Sequence, residues 1–156
     1  ENLRFPEGKY FEDEFFSDQL YLSCGSVHVV PDVLYFYRVW ESSTMNSQKT
    51  RNYLDLIDAF QARIELYLEQ SLPVDEVYKI LIFLLEPYSK CASARFQGQD
   101  RERLRQARAF IWNTSRLLMK KELSLVKKGS LLAIGVCPSL TFRGAIRLRG
   151  QLEKYL

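Results

Sequence analysis

Three consecutive carboxylates, Glu12-Asp13-Glu14, stand where a helix begins, with Tyr10 and Phe11 before them and Phe15 and Phe16 behind. Negative groups in a first helical turn are favoured by the macrodipole, by about 0.3–1 kcal/mol each. A carboxylate on a rigid helix start is also a group that can take a proton from a hydroxyl. Other chemistries have less to work with. His28 is alone and lies in a valine-rich run, so it reads as a core or edge histidine, and His-based metal sites are excluded. Cys24, Cys91 and Cys137 are odd in number and far apart, which argues against a disulfide framework or a zinc site. They read as small buried hydrophobes in a reducing cytosol. Asn113-Thr114-Ser115 matches a glycosylation sequon but falls in the middle of a helical pattern, and we read it as structural. No D-x-D triplet and no G-x-G-x-x-G or Walker sequence is present.

The elements that position these residues follow from periodicity. Phe15, Phe16, Leu20 and Cys24 recur at three and four, which predicts a helix from Glu12 to Cys24 ended by Gly25. Leu3–Phe5, Val27–Val30 and Val33–Tyr37 are β-branched and aromatic runs bounded by turn residues and predict short strands. Ser42–Ser47 is a polar loop. Tyr53, Ile57, Phe60, Ile64 and Tyr67 mark a helix closed by Pro73, and Val74, Val77, Leu81, Leu84 and Tyr88 mark the next. Pro87 is expected to kink or end that helix near Leu85. Asp100 reads as the N-cap of a third helix carrying Leu104, Ala107, Ile111 and Leu118. Beyond Lys128, glycines at 129, 135, 144 and 150 predict short broken amphipathic pieces.

Composition allows a core: 47% of the 156 residues are hydrophobic and 26% charged, ordinary values for a globular chain. The longest apolar runs fall far short of the roughly 20 residues that span a bilayer. The chain begins at charged residues without an initiator Met or an apolar leader and reads there as mid-domain sequence, so a piece of a longer cytoplasmic protein is expected. Charge is uneven. Residues 1–100 carry nine Lys/Arg against sixteen Asp/Glu, whereas residues 101–156 carry thirteen against three. A C-terminal third of net charge +10 suggests an anionic partner, or else packing against an acidic part of the same protein. Nucleic acid is not expected, because no aromatics are interleaved with the basic residues as a stacking surface would need. A peripheral, anionic membrane surface fits better: Leu131, Leu132, Ile134, Val136, Leu140, Phe142, Ile146 and Leu148 are interspersed with Arg143, Arg147 and Arg149.

About twenty residues after the carboxylates comes Val30-Pro31-Asp32-Val33-Leu34-Tyr35-Phe36-Tyr37-Arg38, then Trp40-Glu41-Ser42-Ser43-Thr44-Met45. With Phe5, Glu7, Gly8, Glu12, Asp13 and Phe16, this ordered set resembles the second half of the catalytic domain of family 2 inverting glycosyltransferases of the GT-A fold. The resemblance covers residues 1–48. It implies an α+β but mainly helical chain: the C-terminal part of a GT-A domain at 1–48, a helical extension at 49–128 and a basic amphipathic tail at 129–156. It implies that Asp13 is the general base, that Glu12 positions the acceptor or tunes Asp13, and that Arg38 and Ser43 lie near the diphosphate leaving group. Trp40 stands where many relatives carry a second basic residue or a histidine, and it would stack on a base or sugar or else simply pack. The donor would be a nucleotide sugar and the acceptor a glycan or lipid-linked molecule. The divalent cation of such enzymes, Mg²⁺ or Mn²⁺, would be bound outside this chain, which lacks the D-x-D motif, so the chain by itself is expected to be inactive. The alternative is a non-catalytic helical module that binds a membrane surface or another protein.

Overall fold

A computed structural model describes residues 3–36 and 49–144. Its elements are α1 (Glu12–Ser23), a single 3-10 turn (Thr50–Asn52), α2 (Tyr53–Glu69), α3 (Val74–Ala92), α4 (Gly98–Met119) and α5 (Leu125–Val136). The mainly helical character expected from the sequence is present. The strands are not: Leu3–Phe5, Val27–Val30 and Val33–Phe36 form no strand, and no strand occurs among the described residues. A strand needs a neighbour for its backbone groups, and none of these runs meets one among the described residues; Val29 is 93% exposed and Phe36 83%.

Helices α2 to α5 build one core. Leu54, Ile57 and Ile64 of α2 face Val77, Leu81 and Leu84 of α3, and Ile111 and Leu118 of α4 close over them with Leu131 and Ile134 of α5. These are i, i+3, i+4 and i+7 positions, so each helix turns one apolar stripe inward. Burying each Leu or Ile contributes roughly 1.5–3 kcal/mol against the cost of ordering the chain. Lys127 pairs with Asp75 at 2.8 Å, and the Tyr78 hydroxyl lies 2.8 Å from Ser130 Oγ, tying α5 to α3 as well.

Several expectations are corrected. Pro87 does not end α3, which runs on to Ala92 with Pro87, Tyr88 and Cys91 buried. The carbonyl that loses its donor belongs to Phe83 on the exposed face, where water can satisfy it, and the packed residues beyond hold the helix together. Asp100 is not the N-cap of α4. That helix starts at Gly98 after Gln97, and Asp100 sits in its first turn paired to Arg51 at 2.6 Å. Gly25 does not cap α1, since the chain leaves the helix at Cys24 in extended backbone. His28 is exposed rather than in a core, and of the cysteines only Cys91 is buried, its thiol pushed up to about 12 by burial. Gly129 and Gly135 lie inside α5 instead of breaking it, so the boundary drawn at 129 falls within a helix. The glycine at 135 has a packing reason, because a Cβ there would stand 2.9 Å from the Trp112 ring.

The turn from α2 to α3 stores strain. Ser71 has φ +52, with its N–H donating to Leu68 O and the Leu72 N–H donating to Tyr67 O at 2.9 Å. This is the Schellman pattern, whose left-handed position favours glycine. The left-handed conformation costs a residue with a Cβ about 1–2 kcal/mol. Glycine's extra freedom in the unfolded chain takes back roughly 0.4–1 kcal/mol. Ser71→Gly is therefore expected to raise stability by about 0.5–1 kcal/mol, read as a higher urea midpoint at unchanged slope.

Candidate functional site

The segment from Phe5 to Ser23 lies along α2 and is held there mainly by charge. Arg63, three turns into α2, donates to both carboxylate oxygens of Asp18, with Nη2 at 3.1 Å from Oδ1, and to Glu14 Oε2 at 2.8 Å. Asp18 is buried, and Arg63 is raised above its ordinary value: burial opposes the charge, but the hydrogen bond that Arg63 donates to Asp18 and the negative charge of Asp18 outweigh it. Glu14 and Asp18 are one turn apart and so share a face of α1. Against expectation, Leu20 and Cys24 of the apolar stripe are exposed, and α1 buries an aspartate instead.

A second ionic cluster fixes the approach to α1. Asp55 and Asp58, one turn apart on α2, receive Lys9 Nζ at 3.3 and 3.2 Å and Arg103 Nη2 at 2.7 and 2.6 Å. The Tyr10 N–H adds a bond of 3.2 Å to Asp55. Burial alone would raise the Asp55 carboxyl, but the bond from Arg103, the Tyr10 amide and the Lys9 charge together hold it below its usual value. Aromatic stacking completes the seating: Phe5 on Phe16 at 4.3 Å and Phe11 on Tyr53 at 5.9 Å between ring centroids. Phe11 enters α1 with φ +57, an unfavourable conformation for an aromatic residue that its neighbours hold in place.

Glu12 and Asp13 are both exposed in the first turn of α1, outside these pairings. Of the carboxylates that open the helix, then, one is used to dock it and two face solvent. Beside the Gly8–Tyr10 segment opens a cleft of about 290 Å³ lined by Lys9, Tyr10, Arg51, Asn52, Asp55 and Arg103. Its cations are balanced by Asp55, Asp58 and Asp100, so it is rich in hydrogen-bond donors without being strongly charged. Arg38, Trp40 and Ser43 lie outside the described residues, as do Ile146, Leu148, Arg147 and Arg149 of the tail. Among the described residues no three His, Cys, Asp or Glu side chains come together to hold a metal ion.

No family model, no curated protein and no solved structure matches the chain. The residues that sequence reasoning missed are the anchors Arg63, Asp18, Asp55, Asp58 and Arg103. The spacing of Glu14 to Asp18 and of Asp55 to Asp58 at four and three was the available signal, since it puts two carboxylates on one helix face ready to share a cation.

Arg63→Ala would leave Asp18 buried beside α2 without its cation. Breaking a fully buried pair costs about 3–5 kcal/mol, and here roughly 2–3 is expected because Arg63 keeps 26% of its side chain exposed. The loss should be local: limited proteolysis is expected to cut within residues 12–23 while the α2–α5 core stays protected. Acid should act on the same docking through Asp55. Its folded value lies below the unfolded value of about 3.9. The contribution is therefore fully present above about pH 4 and is lost as pH falls through the folded value. Thermal melts from neutral pH to pH 2 are expected to fall in that window, and less steeply in Asp55→Asn.

Proposed function

We propose that the chain is the base-bearing part of an inverting glycosyltransferase of the GT-A type, followed by a helical extension that holds the base in place. The observation that carries this reading is the division of labour on α1. Glu14 and Asp18 bind the helix to Arg63, and Glu12 and Asp13 are left exposed on a first turn clamped on both sides. A general base must sit on a rigid element and reach an acceptor from solvent, and Asp13 meets both requirements.

In this reading the acceptor hydroxyl gives its proton to the Asp13 carboxylate. Its oxygen attacks the anomeric carbon of the nucleotide sugar, and the bond to the nucleotide diphosphate breaks on the opposite face, which inverts the centre. Glu12 positions the acceptor beside the base. The cleft lined by Lys9, Tyr10, Arg51, Asn52 and Arg103 offers donors to a polyhydroxy acceptor. Arg38 and Ser43 are assigned to the diphosphate, Arg38 through its fork of donors, and Trp40, close to them in sequence, to a stack on the base or sugar or else to packing. The divalent cation of such an enzyme, Mg²⁺ or Mn²⁺, would be held by residues outside this chain. The reading also accounts for the apolar run Val27–Phe36, exposed throughout: such residues belong in strands covered by the rest of a sheet.

The test is Asp13→Asn in the full-length protein. Removing a proton acceptor commonly costs about 10²–10⁴-fold in rate. Transfer is expected to fall by that amount with nucleotide-sugar binding by calorimetry nearly unchanged, because the base meets the acceptor and not the nucleotide. Transfer within a few-fold of the unsubstituted enzyme would overturn the assignment.

A further inference from the structure

We propose that the outer face of α5, with the edge of α4 beside it, docks on an anionic lipid surface; this does not depend on the transferase reading.

The inner face of α5 is spent on the core through Leu131 and Ile134. A helix on the surface of a bundle normally turns polar residues outward. On α5 the outward positions are apolar too: Leu125 is 86% exposed, Val126 83%, Leu132 54% and Val136 51%, and Leu140 just beyond the helix is 66% exposed. Leu125, Leu132 and Val136 are spaced seven and four residues apart within α5, so they share one face of it, and the exposed Leu140 follows the break at Cys137.

The rim of that ridge is cationic. Trp112 of α4 lies against Gly135, with Gly135 allowing the approach, and the residue is 39% exposed at the border of the apolar face. Arg108 donates to Val136 O at 3.2 Å, and the Arg116 guanidinium lies 5.8 Å from the Trp112 ring, so a cation stands on each side of the indole. At the other end Lys120 and Lys121 sit exposed in the turn that leads into Leu125. Glu122 is the acidic group in that turn. Among the described residues no carboxylate lies within ion-pair distance of Arg108, Arg116, Lys120 or Lys121.

An apolar ridge, a tryptophan at its border and a ring of lysine and arginine is the arrangement of a helix that lies in the interfacial plane of a bilayer, with its apolar side chains among the upper acyl segments and its cations at the headgroups. Charge complementarity selects an anionic surface over a neutral one. No helix among the described residues is long and apolar enough to cross a membrane, so α5 would lie on the bilayer and not span it. The sequence-level expectation of a membrane-facing tail included Leu131, Ile134 and Phe142. The structure places the first two in the core and packs Phe142 partly against it, so the surface is carried by their neighbours.

Vesicle co-sedimentation of the 156-residue chain tests this, using phosphatidylcholine vesicles with and without phosphatidylserine. Binding is expected only with phosphatidylserine, weakening with added salt, which screens exposed charges beyond about 8–10 Å. Leu132→Ser with Val136→Ser, at positions already half exposed, is expected to weaken binding about ten-fold or more at low salt while the helical circular dichroism stays unchanged. Lys120→Glu with Lys121→Glu should weaken it similarly, and Val29→Ser with Leu34→Ser, in the other exposed apolar run, should leave it intact. The proposal is overturned by no binding to either vesicle, by equal binding to both, or by binding that ignores the Leu132/Val136 pair. It is equally overturned if the Val29/Leu34 pair alone abolishes binding. A concentration-dependent dimer without vesicle binding, lost in the Leu132/Val136 variant, would instead give the face to a second copy of the chain.

Discussion

Arg63 is the side chain on which the arrangement rests. It projects from the outer face of α2 and takes Asp18 with both carboxylate oxygens and Glu14 with one, and through them it holds α1 against the bundle. The same helix supplies Asp55 and Asp58 one face over, where Lys9 and Arg103 meet. Helix α2 thus serves two ends. Its apolar stripe of Leu54, Ile57 and Ile64 forms the middle of the core, and its charged positions grip the N-terminal segment. Because Arg103 comes from α4, the second cluster also ties the core helices to each other, and α1 is positioned relative to two core helices and not one.

The helices of the core were legible because burial imposes a period on the residues that do it. The stripes of α2, α3 and α4 could be read directly, and the start of α1 could be read from its carboxylates. What could not be read is what depends on residues distant in the chain. Asp18 and Arg63 are 45 positions apart, as are Asp58 and Arg103, and no local pattern joins them. The helix at 12–23 was expected on the strength of an apolar stripe, yet it docks through Glu14 and Asp18. Pro87 and Gly135 mislead for one reason: local propensity weighs about 1–3 kcal/mol, and packing on both sides of the residue outweighs it. Val27–Phe36 misleads in the opposite direction, since β-propensity is realised only where neighbouring strands exist.

Two exposed apolar surfaces remain on the described chain, and their surroundings differ. The run at 27–36 is irregular and has Asp32 as its charged member, with no cation among its residues. The ridge on α5 belongs to a well-packed helix and is bordered by Arg108, Arg116, Lys120 and Lys121. Exposed apolar area of this kind marks a contact with something else. The first has the composition of sheet interior, and the second has that of a boundary between an apolar phase and water that carries anionic groups. Treating them as one sticky surface would lose that distinction.

On α1 the residues that hold the helix and the residues open to solvent do not overlap. Glu14 and Asp18 carry the attachment, and Glu12 and Asp13 stand free of it at the exposed end. Active sites commonly trade folding stability for reactivity because the reactive groups are themselves strained or buried. Here the exposed end could be rewritten at a cost to the scaffold of only about 0.3–1 kcal/mol for each carboxylate lost from the first turn. A lineage descending from this chain, or a designer starting from it, would find positions 12 and 13 open to new side chains, with the old attachment carrying each trial into a folded protein.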